Sequence, residues 1–72
     1  MQLILWVMKV ILNGEEIETS CINVLELLLE KWIQANKVAV EVNEEIVPKS
    51  QLGKFAITEN SKIEIITFVG GG

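Results

Sequence analysis

Residues 3–19 read LILWVMKVILNGEEIET, and the Asn13-Gly14 pair inside them decides the topology of the rest of the chain. Asn-Gly is the strongest short hairpin signal, because both residues tolerate the positive φ of a type I′ turn. Ahead of the pair, residues 3–12 are apolar and β-branched-rich, which suits a strand buried on at least one face. Behind it, Glu15–Thr19 alternates and returns as a second strand. An opening antiparallel hairpin is predicted.

A helix comes next. Asn23 is a good N-cap, and Glu26 three positions on completes a capping-box pattern with Asn in place of Ser or Thr. Good helix formers run from Val24 to about Gln34. At helical spacing Glu26, Glu30 and Gln34 share one narrow face. Val24, Leu25, Leu27, Leu28, Leu29, Trp32 and Ile33 cover more than half the circumference, wider than the stripe one sheet normally buries. A helix set deep in a concave sheet accounts for that width. The alternative is a contact of Leu25, Leu29 or Trp32 with another subunit or with the N-terminal segment.

Val38–Asn43 (VAVEVN) alternates as a third strand, and Ile46-Val47 is a short strand ended by Pro48. Proline lacks the N–H a ladder needs, which places it at an edge or an exit. Lys49–Lys54 reads as a turn or single helical turn. Ile63–Val69 is a strongly apolar last strand behind the Glu59-Asn60-Ser61 turn. The order ββαβ(β)β is an α+β plan with four to five strands on one helix. The first and last strands are apolar throughout, which fits adjacent central positions. Pairing them parallel puts the C-terminus at one end of the sheet.

Composition narrows the function. Seventy-two residues make one domain, which buries only about 60% of its unfolded surface and needs a dense core. Half the residues are hydrophobic, so an aliphatic core is the expected source of stability. One cysteine, Cys21, allows no internal disulfide. With no histidine and no aspartate, the usual four-ligand zinc sites cannot be assembled. Net charge is −4, and Lys9, Lys31, Lys37, Lys49, Lys54 and Lys62 are scattered. Nucleic-acid binding, which rests on phosphate neutralisation, is not expected. Residues 1–12 lack a basic flank and a small-residue cleavage site. They also fall short of the roughly 20 apolar residues of a membrane span. A cytoplasmic chain without a membrane partner is expected, with Met8 as an alternative start and residues 1–7 as an upstream extension.

The chain ends on Gly70-Gly71-Gly72. Directly after a core strand, three residues without side chains present the α-carboxylate on a slim, flexible stalk that fits a narrow channel. A carboxylate is a poor acyl donor. Joined to AMP it becomes a mixed anhydride that a sulfur or nitrogen nucleophile attacks, and any larger side chain at Gly71 or Gly72 obstructs the approach. On the tail alone, a reactive stalk and an unstructured terminus read equally well. A phosphate-binding loop is excluded, since no Lys and no helix come after the glycines.

Other residues carry weaker signals. Cys21 reads as a small buried hydrophobe before it reads as a persulfide relay. Ser20, Ser50 and Ser61 have no histidine to activate them. Glu15-Glu16 and Glu44-Glu45 read as solvated turn residues, and Trp6 and Trp32 as core or interface fillers. Ile66 and Phe68 share a face of the last strand. If Ile63 and Ile65 face the helix, they form an outward apolar patch beside the tail; the alternative is a strand buried on both faces.

Asn13-Gly14 after a first strand, Val24-x-Glu26-Leu27-Leu28 opening the helix, VAVEVN at 38–43, Ile46-Val47-Pro48-Lys49 and IEIITFVGGG at 63–72 together resemble the bacterial and archaeal thiamine-biosynthesis sulfur-carrier (ThiS-like) family. The resemblance covers residues 8–72. It implies a ubiquitin-like β-grasp fold and a protein that is a substrate rather than an enzyme. Gly72 is then adenylated by an E1-like adenylyltransferase using ATP, with no cofactor bound to the chain itself. Sulfur from a cysteine desulfurase converts it to a thiocarboxylate, which a thiazole synthase consumes. Gly70, Gly71, Phe68 and Ile66 become the partner-binding residues. Related readings are a carrier like the small subunit of molybdopterin synthase, a ubiquitin-like protein modifier, and a non-covalent β-grasp interaction module.

Overall fold

The computed structural model describes residues 6–68. The hairpin forms where Asn13-Gly14 places it. Strand β1 spans Met8–Leu12 and β2 Glu15–Thr19, paired antiparallel from Met8 opposite Thr19 to Leu12 opposite Glu15. Asn13 and Gly14 take φ of +49° and +83°, as a type I′ turn requires. β1 begins at Met8, not at residue 3, because the five-residue β2 offers nothing further to pair with. Trp6 and Val7 lie outside the strand and are exposed, and residues 3–5 fall outside the described residues. Glu15 and Glu16 are exposed members of β2, not turn residues. The two-residue turn leaves no place for them.

Helix α1 spans Val24–Glu30. Asn23 Oδ1 accepts from the Glu26 N–H at 2.8 Å, and the Glu26 carboxylate accepts from the Ile22 N–H at 3.0 Å. This is the reciprocal logic of a capping box, closed one residue upstream. The next two unpaired amides, of Val24 and Leu25, donate to the carbonyls of Phe55 and Leu52 at 3.1 and 3.0 Å. The loop at 52–55 is thereby fixed over the helix start. The helix stops well short of Gln34. Trp32 takes φ +61°, its N–H donates to the Leu29 carbonyl at 3.1 Å, and the Ile33 N–H donates to the Leu28 carbonyl at 2.9 Å. That bond pair is a Schellman motif. Within α1 only Val24, Leu27 and Leu28 are buried. Leu25 and Leu29 are exposed and Trp32 is 94% exposed. The broad apolar surface is therefore not explained by deep seating, and neither Trp6 nor Trp32 fills the core.

Three strands complete the sheet: β3 Val38–Val42, β4 Glu45–Val47 and β5 Lys62–Thr67. The order is β2-β1-β5-β3-β4. β1 and β5 are the adjacent parallel pair expected, and β3 runs antiparallel to both β5 and β4. Asn43 and Glu44 form a second tight turn with φ of +51° and +71°. β3 consequently ends one residue early, and Glu45 opens β4 instead of lying in the turn. Single 3-10 turns at Ala35–Lys37 and Lys49–Gln51 link the pieces. The core is made by Val10, Val40 and Ile63 from the sheet, Val24, Leu27 and Leu28 from α1, and Leu52 and Ile57 from the long connection before β5. Strand β3 shows the alternation most clearly, burying Val38, Val40 and Val42. Among the described residues no helix is long and apolar enough to cross a membrane.

Candidate functional site: the root of the C-terminal tail

Gly70, Gly71 and Gly72, the residues expected to carry the chemistry, lie outside the described residues, as does Val69. The point they leave from is described. The Phe68 N–H donates to the Lys37 carbonyl at 2.9 Å, one step beyond the end of the β3–β5 ladder. The Lys49 ammonium donates to the Asn36 carbonyl at 3.3 Å and stands 5.9 Å from the centroid of the Phe68 ring, within cation–π range. One lysine thus ties the two 3-10 turns to the last described residue. The Ile-Val-Pro-basic segment contributes through this lysine.

β5 is held from both flanks by turn asparagines. Asn13 Oδ1 accepts from the Ile65 N–H at 2.8 Å, and Asn43 Oδ1 accepts from the Lys62 N–H at 2.9 Å. Each belongs to a left-handed turn, a conformation Asn tolerates better than most residues. The strand that bears the tail is therefore clamped at its base.

Ile66 and Phe68 do point outward, 49% and 56% exposed, while Ile63 is fully buried. The tail-proximal half of β5 is thus not buried on both faces. Register shows what surrounds Ile66. Ala39 lies directly opposite it, Glu41 lies opposite both Glu64 and Ile46, and Ile46 is itself exposed. Residues opposite each other share a face. The outer face beside the tail therefore carries Ile46, Ala39, Ile66 and Phe68 around the paired carboxylates of Glu41 and Glu64. Sequence reading did not single out Ile46. The short strand Ile46-Val47 was visible, but which strand it joins was not.

Other candidates do not converge on this place. Cys21 is buried, donates from Sγ to the Glu30 carboxylate at 3.3 Å, and has its pKa pushed up, chiefly by burial. It follows β2 at the sheet end where β1 begins. Phe68 leaves from the opposite end, since β5 runs parallel to β1. Ser61 is buried and its hydroxyl accepts from the Thr58 N–H at 3.0 Å, a structural role. Among the described residues no three His, Cys, Asp or Glu side chains are grouped to hold a metal ion.

Comparison with known proteins gives this geometry a context. The ThiS family model matches residues 9–72, from β1 through the last glycine. The crystal structure of the thiamine biosynthesis protein ThiS from Geobacter metallireducens superposes with a TM-score of 0.78 at 29% identity, covering 90% of this chain and all of that one. The chain is 47% identical over 66 residues to a thiazole synthase of Paramagnetospirillum magneticum, and 38% identical over 66 residues to one of Magnetococcus marinus. In both cases 90% of this chain is covered, but the chain spans only about a fifth of the length of those relatives (20%). It is also 39% identical over 62 residues to the protein ycf40 of Trieres chinensis, covering 85% of each. The β-grasp fold, with its strand order and its match running through the terminal glycines, thus has a family: the chain belongs to the ThiS family.

Proposed function

We propose that this chain is a sulfur carrier of thiamine biosynthesis whose working group is the Gly72 carboxylate. The observation that carries the reading is the family match running through Gly70–Gly72, combined with a tail root presented at one end of the sheet beside an exposed apolar face. An E1-like adenylyltransferase uses ATP to join AMP to Gly72, which makes the acyl carbon electrophilic. The outer sulfur of a persulfide fed by a cysteine desulfurase attacks this carbon and displaces AMP to give an acyl disulfide. A second thiol then cleaves the S–S bond, leaving as a disulfide with the persulfide's inner sulfur, and frees a thiocarboxylate, the sulfur source for thiazole formation. The chain itself catalyses nothing and works as the substrate of its partners. A sequence with no histidine and no aspartate is in keeping with that. Cytoplasmic partners of this kind imply a cytoplasmic carrier.

Thiazole synthase is the proposed sulfur acceptor. Support comes from the thiazole synthases that contain a stretch similar to this chain as about a fifth of their length (20%). A carrier region inside the same polypeptide as its acceptor indicates that the two work together. Gly70 and Gly71 thread the partner's channel, while Ile66, Phe68 and Ile46 dock on its surface. With Glu41 and Glu64 between them, that face fits a partner presenting apolar and basic side chains.

The test is intact-mass spectrometry of the full chain incubated with activating enzyme, ATP, a cysteine desulfurase, cysteine and a thiol reductant. The expected product carries the mass difference of one oxygen replaced by sulfur, located on the C-terminal peptide. An unchanged mass with enzymes active on another carrier overturns the reading. Adducts joined to lysine side chains point instead to a protein modifier.

A further inference from the structure

We propose that the tail-proximal edge of β5 receives an extended backbone segment of the sulfur acceptor, which adds a strand to the sheet at Thr67; this rests on the sulfur-carrier reading. β5 is a central strand for its first residues only. β1 pairs with Lys62 and Ile63 and then turns away at Asn13, whereas β3 continues alongside as far as Thr67. From Glu64 onward, the β1 side of β5 is a sheet edge among the described residues.

The direction of each backbone group is set by the bonds present. The Lys62 carbonyl accepts from the Asn43 N–H, and the Phe68 N–H donates to the Lys37 carbonyl. Even-numbered residues therefore turn toward β3, as alternation in a ladder demands. The carbonyls of Ser61 and Ile63 accept from the N–H groups of Ile11 and Asn13, so odd-numbered residues turn toward β1. Asn13 supplies a side-chain acceptor for the Ile65 N–H. Beyond it, the Ile65 carbonyl and both backbone groups of Thr67 have no partner among the described residues.

The other edges of the sheet are guarded and this one is not. β2 carries Glu15, Glu16 and Glu18, while β4 begins at Glu45 and is halted by Pro48. Charge and proline are the devices by which natural edges discourage pairing. Residues 65–69 read IITFV, with no charge, proline or glycine, and with β-branched or aromatic side chains throughout. Ile66 and Phe68 stand exposed on the outer face of the same segment. Free ladder groups beside exposed side chains of alternate residues are the pattern of strand addition, where the backbone gives affinity and the side chains specificity. The occupant that fits offers an acceptor to the Thr67 N–H and donors to the Ile65 and Thr67 carbonyls.

The experiment uses the labelled full chain with the thiazole synthase of the same organism. In the free protein, the Thr67 amide exchanges rapidly with solvent while its neighbours Ile66 and Phe68 are protected. At saturating synthase, Thr67 exchange is expected to slow at least about tenfold. Thr67→Pro removes the outward donor and leaves the β3 ladder its own, which edge positions tolerate. It is expected to weaken binding about tenfold, whereas Thr67→Val stays within about twofold. Retained protection at Ile66 and Phe68 shows that the proline variant is folded. The proposal is overturned if Thr67 exchange is unchanged in the saturated complex. It also fails if the proline and valine variants bind alike, or if protection appears with rising concentration of the chain alone, which indicates self-pairing. Sulfur loading of the wild-type chain in the mass assay separates a failure here from a failure of the carrier reading.

Discussion

Trp32 is the residue most at odds with its surroundings. It adopts φ +61° at the position where a helix end ordinarily places glycine, yet 94% of it faces solvent. A side chain in the left-handed region costs about 1–2 kcal/mol, and glycine returns part of that through its freer unfolded state. Trp32→Gly is therefore expected to raise stability by about 0.5–1 kcal/mol. The check is a urea midpoint that moves up at unchanged slope; a lower midpoint shows that Trp32 makes contacts of its own. Cys21 gives a pH dependence. Its folded pKa lies above the ordinary 9.0, chiefly because burial disfavours the thiolate. The unfolded chain then loses this proton first, so the folded state binds more protons above that value. Stability is fully present below pH 9.0 and falls as pH climbs from there through the folded pKa. Denaturation midpoints measured across that window are expected to decline for the wild type and to decline less for Cys21→Ala.

Among the elements, β5 depends most on its neighbours' turns. Asn13 serves it twice: through a left-handed backbone that closes the hairpin and through a carbonyl that takes the Ile65 N–H. Asn13→Gly keeps the first and loses the second, at about 1 kcal/mol. Asn13→Ala loses both, at a further cost of about 1 kcal/mol. Thermal melts of the two variants separate the contributions: an unchanged melting temperature for Asn13→Gly denies the side-chain bond its role, and equal losses deny the backbone its role. The hairpin was legible because Asn-Gly states its turn outright. So was the adjacency of β1 and β5, because two strands apolar throughout fit neighbouring central positions. The helix end was not legible: Lys31-Trp32 carries no glycine or asparagine to announce a stop, and the bonds that end the helix are made by backbone alone. The exposed face beside the tail was half legible. Ile66 and Phe68 follow from alternation within one strand, but Ile46 and Lys49 join them only through β3–β4 pairing and a 3-10 turn, which a single sequence does not reveal.

At the scale of the molecule, the core and the proposed chemistry occupy different residues. Every core side chain among the described residues precedes Phe68, and the matched family pattern ends on glycines that have no side chain to bury. Removing Gly71 and Gly72 is expected to leave the melting temperature unchanged within about 1 °C, since surface changes away from packed features shift stability little. The same deletion is expected to abolish sulfur loading. A marked fall in melting temperature shows that the tail contributes to the fold.

The bond from Phe68 to Lys37 is the last mooring among the described residues, and it converts the glycine sequence into a ruler. Four residues lie beyond it, and fully extended they reach at most about 14 Å. An enzyme that acts on the final carboxyl must therefore keep its reacting atoms within that radius of the point where Phe68 rests. Lengthening the leash by inserted glycines lets the carboxyl overshoot a pocket built for the natural distance, and shortening it leaves the group stranded at the entrance.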